Sequence, residues 1–138
     1  MDFKNAKIYT PRFRFESGAF SVENGRFVNV LGQPAEDAID LEGAYVIPGL
    51  IDVHTHGNSG YDFCDGSDEG MEIMARYMAS VGVTSYAPTS LTVPYEQLAN
   101  AYATAARLLE KNLPDVSVVR GINMEGPFIS HAKKGAQA

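Results

Sequence analysis

Two histidines one residue apart are the first feature of this 138-residue sequence that could do chemistry. His54 and His56 end the apolar run PGLIDVHTHG, residues 48–57, in a chain that has only three histidines. Strict alternation along a β-strand would place Asp52, His54 and His56 on one face, so that the two imidazoles converge. Imidazole nitrogens bind zinc, iron, nickel or copper, so the pattern predicts a metal site without identifying the element. Two exposed histidines at a strand end are the structural alternative.

A carboxylate farther along the chain could complete that site. Glu125 lies in GINMEGPF, residues 121–128, where a predicted strand ends and Gly126-Pro127 begins a turn. The carboxyl ends of parallel barrel strands meet at one mouth, where a carboxylate can bind a metal or bridge two. A solvated glutamate that opens a loop is the alternative. Asp52 is predicted to support the histidines, either by accepting a ring N–H from one of them or by capping nearby backbone N–H groups.

The elements that must position these residues are predicted from hydrophobic period. Residues 1–47 contain short β-prone runs, and Asn24-Gly25 between two of them indicates a hairpin turn, so this segment is predicted to be a small β-layer. From Pro48 onward, period-2 and period-3.6 segments alternate, as they do in βα units of a parallel sheet. The predicted strands are GLIDVHTH, VTSYAP and VSVVRGINME, and the predicted helices begin after Ser67 and Pro94.

The predicted βα units also limit the fold. On the first strand, alternation sends Ile51, Val53 and Thr55 to the face that would pack against helices. Three units cannot close a parallel barrel, for which eight units and about 250 residues are usual. We therefore expect an α/β chain that is the N-terminal part of a larger protein, with one domain at residues 1–47 and a truncated barrel at residues 48–138.

Composition excludes several classes of partner. Eleven Lys and Arg against seventeen Asp and Glu give a net charge of -6, which repels a nucleic-acid backbone. The apolar stretches are far shorter than the roughly 20 residues that span a membrane, and the N-terminus lacks the layout of a secretory signal. The single cysteine, Cys64, fits a reducing compartment. We expect a cytoplasmic protein that binds neither nucleic acid nor membrane.

Five segments together resemble the amidohydrolase superfamily, and within it the deacetylases of N-acetylglucosamine 6-phosphate. They are PGLIDVHTHG, HGNSGYDF, GVTSYAPTSLT, MEGPFIS and KKGAQ. His-x-His marks the superfamily, and EGPF followed by KKGA narrows the resemblance. The resemblance implies a small β-sandwich domain that includes residues 1–47, beside a metal-dependent hydrolase (β/α)8 barrel of which residues 48–138 are the first three βα units. It also implies hydrolysis of the N-acetyl group to give glucosamine 6-phosphate and acetate.

The same resemblance implies site residues and ligands. Glu125 matches the principal metal ligand, and His54 and His56 match the pair that permits a second metal, so the expected cofactor is one or two divalent ions, zinc or iron. The general base and two further metal-binding histidines are expected beyond Ala138, so no catalytic residue is assigned here and the chain alone is predicted to be inactive. The implied partner is a small amino-sugar phosphate, and we expect the full-length protein to form a homo-oligomer.

Two positions depart from the family pattern. Many relatives have histidine where this chain has Asn123, in HxEGPF, and where it has Gln137, in KKGAH. An amide keeps hydrogen-bond donors but has no titratable group and is a poor metal ligand. Asn123 is therefore predicted to support the site without acid-base chemistry. His131 follows the Glu125 turn and is interpreted as a loop residue.

Other functions share part of the pattern. Dihydroorotase-like and adenine-deaminase-like amidohydrolases also contain PGLIDVHTH, but they usually take their bridging ligand from the fourth strand, which MEGPF after the third strand argues against. In a different class, the chain could be a non-catalytic fragment, or one piece of a split enzyme that another chain completes.

Overall fold

A computed structural model describes residues 1–137 and divides the chain into two compact units. The first unit is Met1–Pro48 and the second begins at Gly49, one residue after the division expected from the sequence. Each unit has a hydrophobic cluster of its own. Within residues 1–137, every helix is too short or too polar to cross a membrane.

The first unit is a five-stranded sheet. Its strands are β1 (Asp2–Tyr9), β2 (Phe15–Glu23), β3 (Arg26–Gly32), β4 (Ile39–Asp40) and β5 (Tyr45–Val46). The β2 strand pairs antiparallel with β1 and β3, while β4 and β5 pair in parallel with β1. The predicted turn at Asn24-Gly25 joins β2 to β3, and both residues have positive φ, 50° and 71°. Buried Ala6, Ile8 and Phe20 form the core of the sheet.

The second unit is a three-stranded parallel sheet with two helices. Its elements are β6 (Leu50–Thr55), the hairpin strands β7 (Gly57–Asn58) and β8 (Tyr61–Asp62), α1 (Asp68–Ser80), β9 (Val83–Pro88), α2 (Tyr95–Lys111) and β10 (Val118–Val119). The sheet order is β10-β9-β6, so β9 is central. The third predicted strand is shorter than expected, because only two residues pair regularly before an isolated bridge between Thr89 and Asn123.

Both helices begin where the sequence predicts. The Ser67 hydroxyl caps α1 by accepting a hydrogen bond from the backbone N–H of Gly70 at 3.0 Å, and α2 begins directly after Pro94. Met71, Met74 and Met78 are buried along α1, as their spacing indicates. Val81 follows Met78 by three residues but does not extend this buried face. It caps the end of the helix and is 50% exposed, because the chain turns away at Gly82.

The helices cover one face of the sheet, which we call the helix-covered face. Buried Tyr86 of β9 and Val119 of β10 lie in one cluster with buried residues of both helices. The outer surface of the helix pair is joined by ion pairs, among them Arg107 with Asp68 at 2.9 Å and Lys111 with Glu72 at 2.6 Å. These contacts hold α1 and α2 together over the sheet.

A β-bulge interrupts β6 just before the histidines. Asp52 pairs with Tyr86, and Thr55 pairs with Pro88, so three steps along β6 match two steps along β9. Paired residues on neighbouring strands share a face of the sheet, and Tyr86 and Pro88 are both buried. Asp52 and Thr55 therefore both belong to the helix-covered face, although they are three positions apart and strict alternation would place them on opposite faces. The extra residue lies between them.

The bulge overturns the predicted faces of β6. Val53 and His54, which lie between the two helix-facing residues, both belong to the opposite face, which we call the open face. Ile51 and Val53 are 69% and 65% exposed there and line an open cavity of about 490 Å³ with Arg120. The prediction that Ile51 and Val53 pack against helices is wrong, and so is the grouping of Asp52 with the histidines, because strict alternation does not survive an inserted residue.

Candidate metal centre

Two imidazoles and one carboxylate meet at the carboxyl end of the parallel sheet. His54, His56 and Glu125 each offer one ligand atom, and these atoms lie within 4.8 Å of one another. The Nε2 atoms of His54 and His56 are 3.1 and 3.2 Å from the same oxygen, Oε2 of Glu125. The imidazole rings are nearly perpendicular, at 79°, with centroids 5.3 Å apart. The structure thus brings together three residues that lie up to 71 positions apart in the sequence.

The bulge explains how both histidines reach this point. Thr55 belongs to the helix-covered face, so its neighbours His54 and His56 belong to the open face. In a strand that alternated strictly from Asp52, His54 would lie with Asp52 on the helix-covered face. The bulge therefore places His54 on the face opposite Asp52, and both imidazoles reach Glu125 from the open face.

The ring of His56 is oriented by a backbone carbonyl. Its Nδ1 lies 3.0 Å from the carbonyl oxygen of Thr89, which follows β9. A carbonyl only accepts, so Nδ1 donates, and in a neutral ring Nε2 then has a free lone pair. That lone pair faces the Glu125 carboxylate at 3.2 Å, an arrangement that repels unless a cation is present. The cation can be a shared proton or a metal ion.

Asp52 supports the backbone of His54. Its Oδ1 accepts a hydrogen bond from the backbone N–H of His54 at 2.9 Å. Of the two roles that the sequence left open for Asp52, this geometry matches backbone capping. The contact holds the first residue of the cluster by its main chain, so the His54 ring can turn toward Glu125.

The turn after Glu125 needs glycine. Gly126 has φ +83°, and a Cβ there would lie 2.5 Å from the hydroxyl oxygen of Thr92. The backbone N–H of Thr92 also donates to the side-chain oxygen of Gln137 at 2.9 Å. The segment after Glu125 therefore folds back against the loop that follows β9, and the Gln137 amide serves as an acceptor there.

Asp62, Asp65 and His131 lie outside this cluster. Asp62 and Asp65 cap a short turn, where they accept hydrogen bonds from the backbone N–H groups of Cys64 and Asp62 at 2.7 and 2.8 Å. His131 begins a separate 3-10 turn. No feature of the sequence singles out Thr89, because its contribution is a backbone carbonyl, which every residue has.

The cluster is open to solvent. The side chains of His54, His56 and Glu125 are 54%, 35% and 36% exposed. A small molecule can approach from the carboxyl end of the strands, where parallel α/β folds generally place ligands. The arrangement can bind a divalent metal and present it to a substrate at that edge.

Comparison with known proteins is consistent with this site. The profile of the Amidohydrolase family matches residues 37–116. N-acetylglucosamine-6-phosphate deacetylase of Vibrio furnissii is 36% identical over 105 residues, which are 76% of this chain and 26% of that protein. The crystal structure of the Pasteurella multocida deacetylase superimposes with a TM-score of 0.80 at 31% identity, over 99% of this chain and 37% of the other.

A second similar structure contains a ligand. It is a mutant of the deacetylase from Mycobacterium smegmatis in complex with N-acetyl-D-glucosamine-6-phosphate, with a TM-score of 0.80 at 26% identity, over 100% of this chain and 35% of the other. This chain therefore spans about a quarter to a third of the length of such relatives. It is a homologue of N-acetylglucosamine-6-phosphate deacetylases and has a mixed α/β fold that matches their N-terminal part. The family profile covers more than half of the residues, and the chain belongs to the amidohydrolase family.

Proposed function

We propose that this protein is a metal-dependent amide hydrolase that removes the acetyl group from N-acetylglucosamine 6-phosphate, giving glucosamine 6-phosphate and acetate. The observation that supports this most is the cluster of His54, His56 and Glu125 at the carboxyl end of the parallel strands. The similarity to deacetylases of this substrate supports the choice of substrate.

The donor set fits a divalent metal. Two neutral imidazoles and a carboxylate suit zinc or iron, and Glu125 has a second oxygen that could serve another ion. The His56 contact with the Thr89 carbonyl is the kind of outer hydrogen bond that fixes the tautomer of a ligating histidine. We assign Glu125 as the principal ligand, with His54 and His56 completing the site, and zinc or iron as the cofactor.

A divalent metal held there supplies Lewis acidity, which polarises an amide carbonyl and makes water a stronger acid. Asp52 holds the backbone of His54, and the Thr89 carbonyl holds the ring of His56, so the two donors are oriented before a ligand arrives. No described side chain in the cluster is assigned as the general base. That role, and the two further histidine ligands, belong in our proposal to residues outside this sequence.

The proposed architecture extends the observed one. The three parallel strands β6, β9 and β10 would be the first strands of a (β/α)8 barrel, and the sheet of residues 1–48 would be part of a β-sandwich domain. In this proposal the complete protein is a homo-oligomer, and its partner is a small amino-sugar phosphate.

The test is an assay of acetate release. The complete protein, loaded with zinc or iron, is incubated with N-acetylglucosamine 6-phosphate and, in parallel, with dihydroorotate and adenine. We expect acetate release, and at least a hundredfold loss of kcat/KM in Glu125→Gln and His56→Asn. His131→Asn is the matched control, because this histidine lies outside the cluster, and it should retain activity.

Two results would contradict the proposal separately. Turnover of dihydroorotate or adenine without acetate release would overturn the substrate assignment. Full activity in both Glu125→Gln and His56→Asn would remove the cluster from the active site.

A further inference from the structure

We propose that Asn123 is a positioning residue, whose side chain ties the segment that contains Glu125 to the bulge that contains His54. This inference rests on the proposed metal site. It concerns how the cluster keeps its geometry, and it assigns Asn123 no contact with metal or substrate.

The backbone of Asn123 is fixed on the chain around β9. Its N–H donates to the carbonyl of Pro88 at 3.0 Å, and its carbonyl accepts from the N–H of Ser90 at 3.0 Å. These two bonds extend the pairing beyond the end of β10. The side chain of Asn123 therefore projects from an anchored main chain.

The side chain reaches a strand that is not its neighbour. The Asn123 Nδ2 donates to the carbonyl oxygen of Val53 at 3.2 Å. Val53 belongs to β6, and β9 lies between β6 and β10 in the sheet. The amide thus crosses the central strand on the open face and joins β6 directly to the segment that follows β10.

The acceptor lies inside the bulge. Regular pairing of β6 with β9 is interrupted between Asp52 and Thr55, where Val53 lies. A backbone carbonyl that loses its strand partner must find another donor. The Asn123 amide supplies that donor, so it stabilises the bulge itself.

The hydrogen bond connects the two halves of the cluster. His54 follows Val53 by one residue, and Glu125 follows Asn123 by two, so a single side chain links both ligand segments. His54 Nε2 and Glu125 Oε2 are 3.1 Å apart, and this distance depends on two main-chain segments that the Asn123 hydrogen bond holds together. If the bond is removed, we expect this distance to become variable, and metal affinity to fall.

The inference depends on a donor at position 123. Leucine has a similar size and lacks the donor, so Asn123→Leu breaks the link without adding charge. Histidine has a ring N–H, so Asn123→His restores a donor at the same place. The matched control is Asn100→Leu, because the Asn100 amide also donates to a backbone carbonyl, that of Gly66 at 3.1 Å, but away from the cluster.

The experiment measures zinc affinity by calorimetry for the complete protein and these three variants of it. Cobalt absorption spectra report ligand geometry, and circular dichroism melts without metal report folding. We expect zinc Kd to rise about tenfold or more in Asn123→Leu, the range seen when outer partners of metal ligands are removed. We expect Kd within threefold of wild type in Asn123→His and Asn100→Leu, with an altered cobalt spectrum only in Asn123→Leu.

The outcomes separate this inference from the proposed function. Wild-type zinc affinity in Asn123→Leu, or a loss as large in Asn123→His, would overturn the positioning role and leave the metal site intact. A metal-free Asn123→Leu that is unfolded at 25 °C would also overturn it, because Asn123 would then be a general stability residue. Absence of zinc binding by the complete wild-type protein would overturn the proposed metal site as well.

Discussion

The helix-covered face of the sheet and the carboxyl-end cluster are built in opposite ways. The helix-covered face is a closed apolar layer, in which Tyr86, Met71 and Met74 are at most 3% exposed. The cluster is partly exposed, and its geometry depends on a few single hydrogen bonds, from His54 to Asp52, from His56 to Thr89 and from Asn123 to Val53. The helix-covered face is held by many interchangeable apolar contacts, whereas the cluster is held by a few specific hydrogen bonds.

This difference separates stability from binding. Burial of apolar surface is roughly additive and non-directional, so the helix-covered face provides free energy of folding without fixing any one atom. A hydrogen bond to a backbone group fixes position but adds little net stability in water. We therefore expect substitutions on the helix-covered face to change unfolding, and substitutions around the cluster to change metal affinity.

The largest expected effect comes from the helix-covered face. Met71→Ala should lower the free energy of unfolding of the 138-residue chain by about 3 kcal/mol, because it leaves a cavity in a close-packed layer. Ile51→Ala, on the open face, should cost less than about 0.5 kcal/mol, since Ile51 is 69% exposed. Urea unfolding measures both. Equal losses in the free energy of unfolding would mean that the two faces are equally covered in solution, and would contradict the difference between them.

The next largest effect is expected at the cluster, where we predict a change in zinc affinity. Asp52→Ala should weaken zinc binding about tenfold, or about 1.4 kcal/mol, because the backbone N–H of His54 loses its acceptor. Asp52→Asn should stay within threefold of wild type, since an amide oxygen can accept the same bond. Calorimetric titration with zinc measures both variants. An equal loss in both would show that the Asp52 charge, and not its hydrogen bond, is what matters.

A smaller effect concerns an unpaired hydroxyl in the helix-covered face. The Tyr86 hydroxyl is buried and has no hydrogen-bond partner among residues 1–137, and burial raises the pKa of Tyr86 to about 12. Tyr86→Phe should therefore raise the free energy of unfolding by about 1 kcal/mol. A loss of stability on this substitution would show that the hydroxyl has a partner in solution.

The same tyrosine predicts an alkaline transition. An unfolded tyrosine ionises near pH 10, whereas folded Tyr86 stays protonated up to about pH 12. The unfolded state thus releases a proton first, and stability that is complete below pH 10 should fall as pH rises toward 12. Tyr86→Phe should remove this part of the slope in thermal melts between pH 9 and 12, and an unchanged slope would assign it to other groups.

The smallest effect is at the exposed surface of the helix pair. A hydrogen bond from Lys111, aided by the charges of Lys111 and Arg76, lowers the pKa of Glu72 below its ordinary value of 4.5. A lowered pKa stabilises the fold above the unfolded value, and that stability is lost as pH falls through the folded value. Glu72→Gln should slightly flatten the acid side of the stability curve below about pH 4.5, an effect that salt should mask. Melting points in low and high salt test this, and a large effect in high salt would contradict it.

Local signals account for what the sequence predicted well. Ser67 and Pro94 mark helix starts, Asn24-Gly25 marks a hairpin, and the methionine spacing marks the buried side of α1, because each depends on residues close together in the chain. The approach of Glu125 to the histidines was inferred from a rule about strand ends, and the structure places them together. Their role as metal ligands stays a prediction.

What the sequence could not predict depends on pairing between distant strands. The bulge is defined by the register of β6 with β9, and the residue types around Val53 do not distinguish this segment from a regular strand. Two hydrogen bonds follow from that register: one from the Asn123 side chain to the Val53 carbonyl, and one from the His56 ring to the Thr89 carbonyl. The prediction that Asn123 supports the site remains a proposal, now with the Val53 carbonyl as its specific acceptor.

The bulge also limits how this site can be moved or altered. The sequence Asp-Val-His-Thr-His grafted onto a strictly alternating strand, with the aspartate on the helix-covered face, would point both rings into the helix layer. A working graft must copy the bulge and a donor for the freed carbonyl. Deletion of Val53 would leave both histidines in the sequence and both rings on the open face, but it would remove the bulge and the carbonyl that the Asn123 amide binds.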